Sequence, residues 1–327
     1  MPNSSNRNGL NIRLDIKKVV DQSPTVDTTM EDYLLPAIPV SQVGGKIQLT
    51  TAHAGSEVTD NRRSKEGSFV KGSFRYTDDT FFTEISGNEA ELDNVQTLEI
   101  KNAYNFDEEV FAGKLAVNWM KTARKVKVKE AIFDNTDWAG EGHRIVPSTK
   151  WDANPLAALE DVRKVKDLFK ERHGVLGANL HLGITEEDFD AFIMSLVEQD
   201  TLKYNESILT KSYDEQRNIV RQFLKIKQVA ILDGMVSTAK DFFEEQADFT
   251  SVYDPGKCLF FLPSAGGTSW ASPGLGRQPI YTPYSSSYRV DTYDKKSTMK
   301  RIVRATEYRG VKVNPAYGVL IENPWTV

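Results

Sequence analysis

The chain has 327 residues, 41 of them Lys or Arg and 46 Asp or Glu, for a formal net charge of −5. Its one cysteine, Cys258, excludes an intramolecular disulfide scaffold. With only four histidines beside it, a cysteine-rich zinc or iron–sulfur centre is excluded too. The length favours two lobes over one core, and the hydrophobic share of 39% is modest for that size.

No apolar run approaches the roughly 18 residues of a membrane span, and the polar start has no signal-type apolar stretch. The expectation is a soluble protein made inside the cell. Residues 1–30 read as a polar arm with one short amphipathic piece, Ile12 to Val20, ended by Asp21-Gln22-Ser23-Pro24. Leu34-Leu35-Pro36-Ala37-Ile38-Pro39-Val40 is apolar but holds two prolines. It is expected to be extended rather than a helix or a central strand.

Residues 44–86 read as a long β-hairpin or loop excursion. Ile47 and Leu49 alternate, and Phe69, Phe74, Tyr76, Phe81 and Phe82 are strand formers among Gly67, Gly72 and Gly87. Residues 107–124 suit a helix, with Asp107, Glu108 and Glu109 in its first turn and Lys121, Arg124 and Lys125 in its last. Lys125-Val-Lys-Val-Lys129 alternates like a strand but is taken as the end of that helix.

The clearest helix is 155–173. Asn154 is its N-cap, Pro155 its first residue, Leu156, Leu159, Val162, Val165 and Phe169 its apolar face, and Gly174 its C′ residue. Helices are also expected at 186–199, opened by Thr185 and Asp188, and from about Asp214 to Lys225. Val229–Leu232 and Cys258–Leu262 are buried-strand candidates. Pro263–Pro283 reads as a Gly, Pro and Ser-rich loop. Ser287–Tyr293, Thr298–Tyr308 and Ala316–Glu322 close the chain as strands.

The search for chemistry returns no built site. There is no phosphate-binding Gly-Lys-Ser/Thr loop and no Gly-x-Ser-x-Gly elbow, and no helix follows the glycines of Ser264–Arg277. His53, His143, His173 and His181 show no ligand spacing. Cys258 lies in an apolar run, where a thiol is inert. Glu186, Glu187 and Asp188 fall on a helix's first turn, where the helix dipole accounts for them. No catalytic, cofactor-binding or metal residue is assigned.

Charge is more informative in its order than in its total. Arg62 to Arg75 carries +4, Glu84 to Glu109 −7, and Lys114 to Glu130 +5. Nucleic-acid binding needs a net basic face, whereas alternating blocks suit surfaces that meet each other. The intersubunit candidates are therefore Arg62, Arg63, Lys65, Phe69, Lys71, Phe74 and Arg75 on one side, and Glu84, Glu89, Glu91 and Asp93 on the other.

The order of these segments resembles the major capsid proteins of tailed bacteriophages, which share the Hong Kong 97-like fold. Leu34–Val40 and the basic excursion look like that family's N-terminal arm and extended loop. Trp151-Asp-Ala-Asn-Pro155 to Arg163 looks like the start of its spine helix. His173-Gly-Val-Leu-Gly-Ala-Asn-Leu180 is similar to the turn and strand entering its axial domain, with Ala178-Asn179 where many relatives have Pro-Asn. Tyr253-Asp-Pro-Gly-Lys257 to Leu262 resembles an axial-domain strand. Tyr293-Asp294, Ile302–Tyr308, Val311–Val313 and Ala316–Ile321 look like its closing strands.

The resemblance implies an α+β chain with an N-terminal arm (1–46) and an extended β-hairpin loop (47–86). A peripheral domain (87–174) with its long spine helix at 155–173 would follow, then a mixed α/β axial domain (175–285). Return strands of the peripheral domain (286–310) and a C-terminal axial strand (311–327) would complete it. It implies a structural subunit, not an enzyme, with no cofactor, self-assembling into pentamers and hexamers of an icosahedral virion capsid around double-stranded DNA. Synthesis would take place in the host cytoplasm. Portal, scaffolding and decoration proteins are its further candidate partners. Some relatives cross-link through a loop lysine, and Lys65 and Lys71 lie in the corresponding region. An encapsulin-like compartment shell and an enzyme of unknown type are the alternatives.

Overall fold

The computed structural model describes residues 11–12, 30–49, 77–93, 107–134, 143–198, 208–237, 249–264, 270, 272–285, 287–295 and 300–325. Two main sheets organise them. In the first, β1 (Asn11–Ile12), β13 (Arg289–Lys295), β14 (Lys300–Arg309), β12 (Gly276–Tyr281) and β15 (Lys312–Val313) follow one another. β2 (Ala37–Val40) joins β12 in parallel, and β5 (Glu84–Asp93) runs antiparallel to β14. In the second, β6 (Arg144–Ile145), β16 (Gly318–Glu322), β11 (Lys257–Phe261), β7 (His181–Thr185) and β8 (Gln228–Leu232) lie side by side. Two smaller pairs are β3 (Gly44–Leu49) with β4 (Thr77–Phe82), and β9 (Met235–Ser237) with β10 (Phe249–Ser251).

The second sheet is buried on both faces, and strand alternation shows why. Cys258, Phe260, Val319 and Ile321 point into one core with Trp151, Phe169, Phe189 and Phe192. Leu259, Phe261 and Leu320 point into another with Leu34, Leu35, Val128, Ile132 and Phe133. A strand apolar at every position has a core on each side, as the run at Cys258 required. Cys258 is fully buried, and burial pushes its thiol up.

Helix α1 (Met30–Leu34) precedes β2. Leu34 therefore ends a helical turn instead of opening an extended stretch. Leu34, Leu35 and Ile38 are fully buried within their own chain, so this part of the expected arm is core. The prolines remain compatible with a strand because β2 pairs only with β12.

Helix α2 (Glu108–Phe133) runs nine residues beyond Arg124 and includes the alternating Lys-Val segment. Its Asp107 cap accepts from the Val110 backbone N–H at 3.2 Å. Its first half packs Ala112, Ala116, Val117 and Met120 onto Ala90, Val290, Val303 and Ala305 of the first sheet. Its second half carries Val128 and Ile132, one helical turn apart, into the core beneath the second sheet.

Helix α3 (Pro155–His173) has the expected bounds. Asn154 accepts from the Leu156 N–H at 3.1 Å, and Gly174 sits at φ 62°. Val162, Val165 and Phe169 pack with the second sheet, together with α4 (Glu186–Glu198) and α5 (Tyr213–Leu224). The long helix lying along the first sheet is α2. Periodicity identifies a helix and its apolar face but not the sheet that face meets.

The strand Glu84–Asp93 extends well beyond the hairpin expected to end at residue 86, into a stretch where the sequence shows chiefly acids. It pairs with β14 along its whole length, from Glu84 opposite Arg309 to Asp93 opposite Lys300.

Candidate intersubunit surfaces

β5 presents two different faces because its side chains alternate. Ala90 is buried and Leu92 partly buried against α2, while Glu89, Glu91 and Asp93 point the other way. There they meet bases of the same chain. The Lys300 amine donates to Glu91 at 2.7 Å, and Lys295 lies 3.9 Å from it. Arg304 lies 3.8 Å from Glu89, which also accepts from the Tyr293 hydroxyl at 3.1 Å. Lys127 stands 3.8 Å from Glu84, and Asp93 adds its charge to the field at Lys300. The Lys300 hydrogen bond and charge hold the Glu91 carboxyl below its ordinary value.

The acids reserved in the sequence for a neighbouring copy are thus already in contact with their own β13, β14 and α2. They remain open to solvent, and the outer face of the first sheet is a mosaic of both signs. Arg304 also lies over the Tyr293 ring at 5.5 Å and 3.4 Å from the buried Asp291.

The basic candidates Arg62, Arg63, Lys65, Phe69, Lys71, Phe74 and Arg75 lie outside the described residues, as does His53. Their root is described. Leu49 pairs with Thr77, so residues 50–76 leave and re-enter at the same end of the β3–β4 hairpin. That hairpin is fixed to the body by Ile47 and Phe81, which cluster with Ile38 and Val40. Phe81 stacks on Trp270 at 5.3 Å, and Asp79 accepts from Lys312 at 2.6 Å. Beside this root, Phe82 and Ile85 are 70% and 58% exposed.

A further apolar surface was not foreseen. On the β9–β10 ribbon, Phe249 lies opposite Ser237 and Met235 opposite Ser251, so Met235 and Phe249 share one face. They are 60% and 61% exposed, while Val236 between them packs on the core. Two large apolar side chains on a three-residue strand pair had no sequence signal, because neither strand shows a usable period.

The described histidines have structural partners. His143 Nδ1 lies 3.1 Å from the Gly318 carbonyl, and His173 Nε2 2.6 Å from that of Ala316. The Tyr33 hydroxyl and His181 Nδ1 share a hydrogen bond. Burial, with Lys227 nearby, pushes His181 down to about 4, and burial pushes the Tyr33 phenol up to about 12. Among the described residues, no three His, Cys, Asp or Glu side chains converge on a metal position, and no helix is long and apolar enough to cross a membrane.

No family model matches the sequence, and neither does any curated protein. Solved structures do match. A phage-related protein from Bordetella bronchiseptica RB50 superposes with a TM-score of 0.65 at 16% identity, over 96% of this chain and 97% of that one. A virus-like particle from Pyrococcus furiosus follows at TM-score 0.50 and 12% identity, over 95% and 97% of the two chains. The asymmetric unit of the bacteriophage PhiM1 mature capsid matches at TM-score 0.50 and 10% identity, over 92% and 89%. Each likeness spans about nine-tenths or more of both chains, so the chain has the Hong Kong 97-like fold.

Proposed function

We propose that this chain is a major capsid subunit that self-assembles into the pentamers and hexamers of an icosahedral shell enclosing double-stranded DNA. The observation that carries the reading is the likeness over nearly the whole of both chains to a phage-related protein. The surfaces support it: a hairpin anchored at its root with residues 50–76 beyond it, an apolar pair on β9–β10, and a sheet face of mixed charge. The subunit's main partner is then another copy of itself. Arg62, Arg63, Lys65, Phe69, Lys71, Phe74 and Arg75 would meet neighbours through the excursion. Glu84, Glu89, Glu91 and Asp93 would do so through their exposed oxygens. The DNA would be confined without sequence-specific contact, as suits a mildly acidic chain, and the protein's place would be the virion capsid.

The contents of particles isolated from producing cells test the DNA half of the reading. After nuclease treatment, protected double-stranded DNA is the expected result. Particles filled with a packaged protein and free of DNA would instead establish a compartment shell.

A further inference from the structure

Arg277 carries a buried guanidinium with no carboxylate to answer it among the described residues. It sits on β12, with β15 opposite it and β2 pairing from Gln278 onward, and is only 3% exposed. Neither Nη1 nor Nη2 has a hydrogen-bond partner there. Every other buried arginine in the first sheet's interior has a carboxylate: Arg124 is bound to Glu307, and Arg309 to Asp32. Burying a guanidinium without an anion is costly, so folds keep such a group only where something answers it.

Arg277 lines a small cavity at the root of the β3–β4 hairpin, shared with Ser264, Trp270, Ser272, Lys312 and Asn314. None of the described residues lining it is acidic. The sequence from Ser264 to Arg277 contains no Asp or Glu at all. Lys312 is already engaged by Asp79 at 2.6 Å, so the uncompensated charge is that of Arg277. The wall is held close by Gly274 and Gly276, both at positive φ, where an added Cβ would strike Ser264 and the Lys312 carbonyl. The cavity measures about 20 Å³. About 10–15 Å³ holds one water, so it accepts one small polar group and no nucleotide or sugar. A planar guanidinium fork matches a carboxylate's two oxygens.

We infer that the Arg277 cavity is a binding site for a single carboxylate group. Two sources supply that chemistry: a free carboxylate anion, or an Asp or Glu side chain of a second copy. The second rests on the shell reading and the first does not, so failure of the site and failure of the shell give different results.

The test uses the full chain, with acetate as the probe against chloride at matched ionic strength. For a free-anion site, acetate raises the melting temperature of the unassembled wild-type protein saturably, by about 3 °C. Arg277→Met abolishes that rise. For a second-copy site, acetate raises that melting temperature too, because it must occupy the pocket to compete, and in addition weakens wild-type self-association at least tenfold by sedimentation. Arg277→Met then weakens association to the same degree and no longer responds to acetate. Should Arg277→Met fail to fold, the wild-type acetate responses and Arg277→Lys, which keeps the charge and loses the fork, carry the same comparison. The inference is overturned if acetate and chloride act alike on both melting and association of the wild type.

Discussion

Glu307 receives both Nε and Nη2 of Arg124, joining β14 to α2 across 183 residues of sequence. Both side chains are almost fully buried, at 4% and 6% exposure. The contact opens a wider network. Arg309 Nη1 donates to Asp32 and to the Gln278 side-chain carbonyl, each at 2.9 Å. Gln278 Nε2 donates in turn to the backbone carbonyls of Leu35 at 2.8 Å and Glu31 at 3.0 Å. One polar junction therefore fixes α1, α2, β12 and β14 where the cores of the two sheets meet.

Glu307→Gln leaves Arg124 and Arg309 buried together without their shared carboxylate. The expected loss is about 3–5 kcal/mol in urea unfolding. The double variant Arg124→Met with Glu307→Leu recovers most of that loss, because it removes both charges at once. A double variant as unstable as Glu307→Gln would contradict this account of the pair.

His181 gives the fold a pH dependence of definite sign. Its folded-state value of about 4 lies below the ordinary 6.5, so the unfolded chain binds the proton more readily between those limits. The stability it contributes is complete above pH 6.5 and is lost as pH falls toward 4, by up to about 3 kcal/mol. His181→Asn should flatten the melting temperature against pH over that window relative to the wild type. Parallel curves for the two proteins would refute the assignment.

Gly174 occupies a left-handed position at the end of α3, with its N–H bonded back to the Lys170 carbonyl at 3.0 Å. Gly174→Ala should cost about 1 kcal/mol by denaturant unfolding without changing secondary-structure content. An unchanged midpoint would show that the cap contributes nothing.

The ends of that helix were legible because its stop and start signals are local: Asn154 and Pro155 at one end, Gly174 at the other. The run at Cys258 was legible for a related reason, since an uninterrupted apolar strand admits only burial on both faces. β5 was not, because Glu, Asn and Gly are poor strand formers and its pairing comes from β14, more than 200 residues later. Its acids looked unanswered in sequence for the same reason. Arg277 carried no sequence signal because the strands around it, β15 opposite Arg277 and β2 from Gln278 onward, arrive from opposite ends of the chain. The alternating Lys-Val segment of α2 shows the converse: a two-residue pattern yields to helical packing when Val128 and Ile132 find a core one turn apart.

The outer acids of β5 separate folding from assembly. Glu89 and Glu91 are solvent-exposed, and exposed pairs add little to stability. The double variant Glu89→Gln, Glu91→Gln should melt with the wild type yet assemble more slowly, with a weaker dependence of assembly on salt. Unchanged assembly kinetics would remove this face from the intersubunit surface.

The excursion can be tested without disturbing its root. Replacing residues 50–76 by an Asn-Gly turn keeps the β3–β4 hairpin and its Phe81–Trp270 stack. The variant should remain folded, with a melting temperature near that of the unassembled wild type, and should form no closed shells. Closed shells from this variant would show that the excursion is not needed between subunits.

The most direct measurement is electron microscopy of the purified, concentrated protein across a range of ionic strength. The account predicts closed icosahedral shells built from pentamers and hexamers. A dispersed monomer under every condition, with no rings or shells, would contradict it.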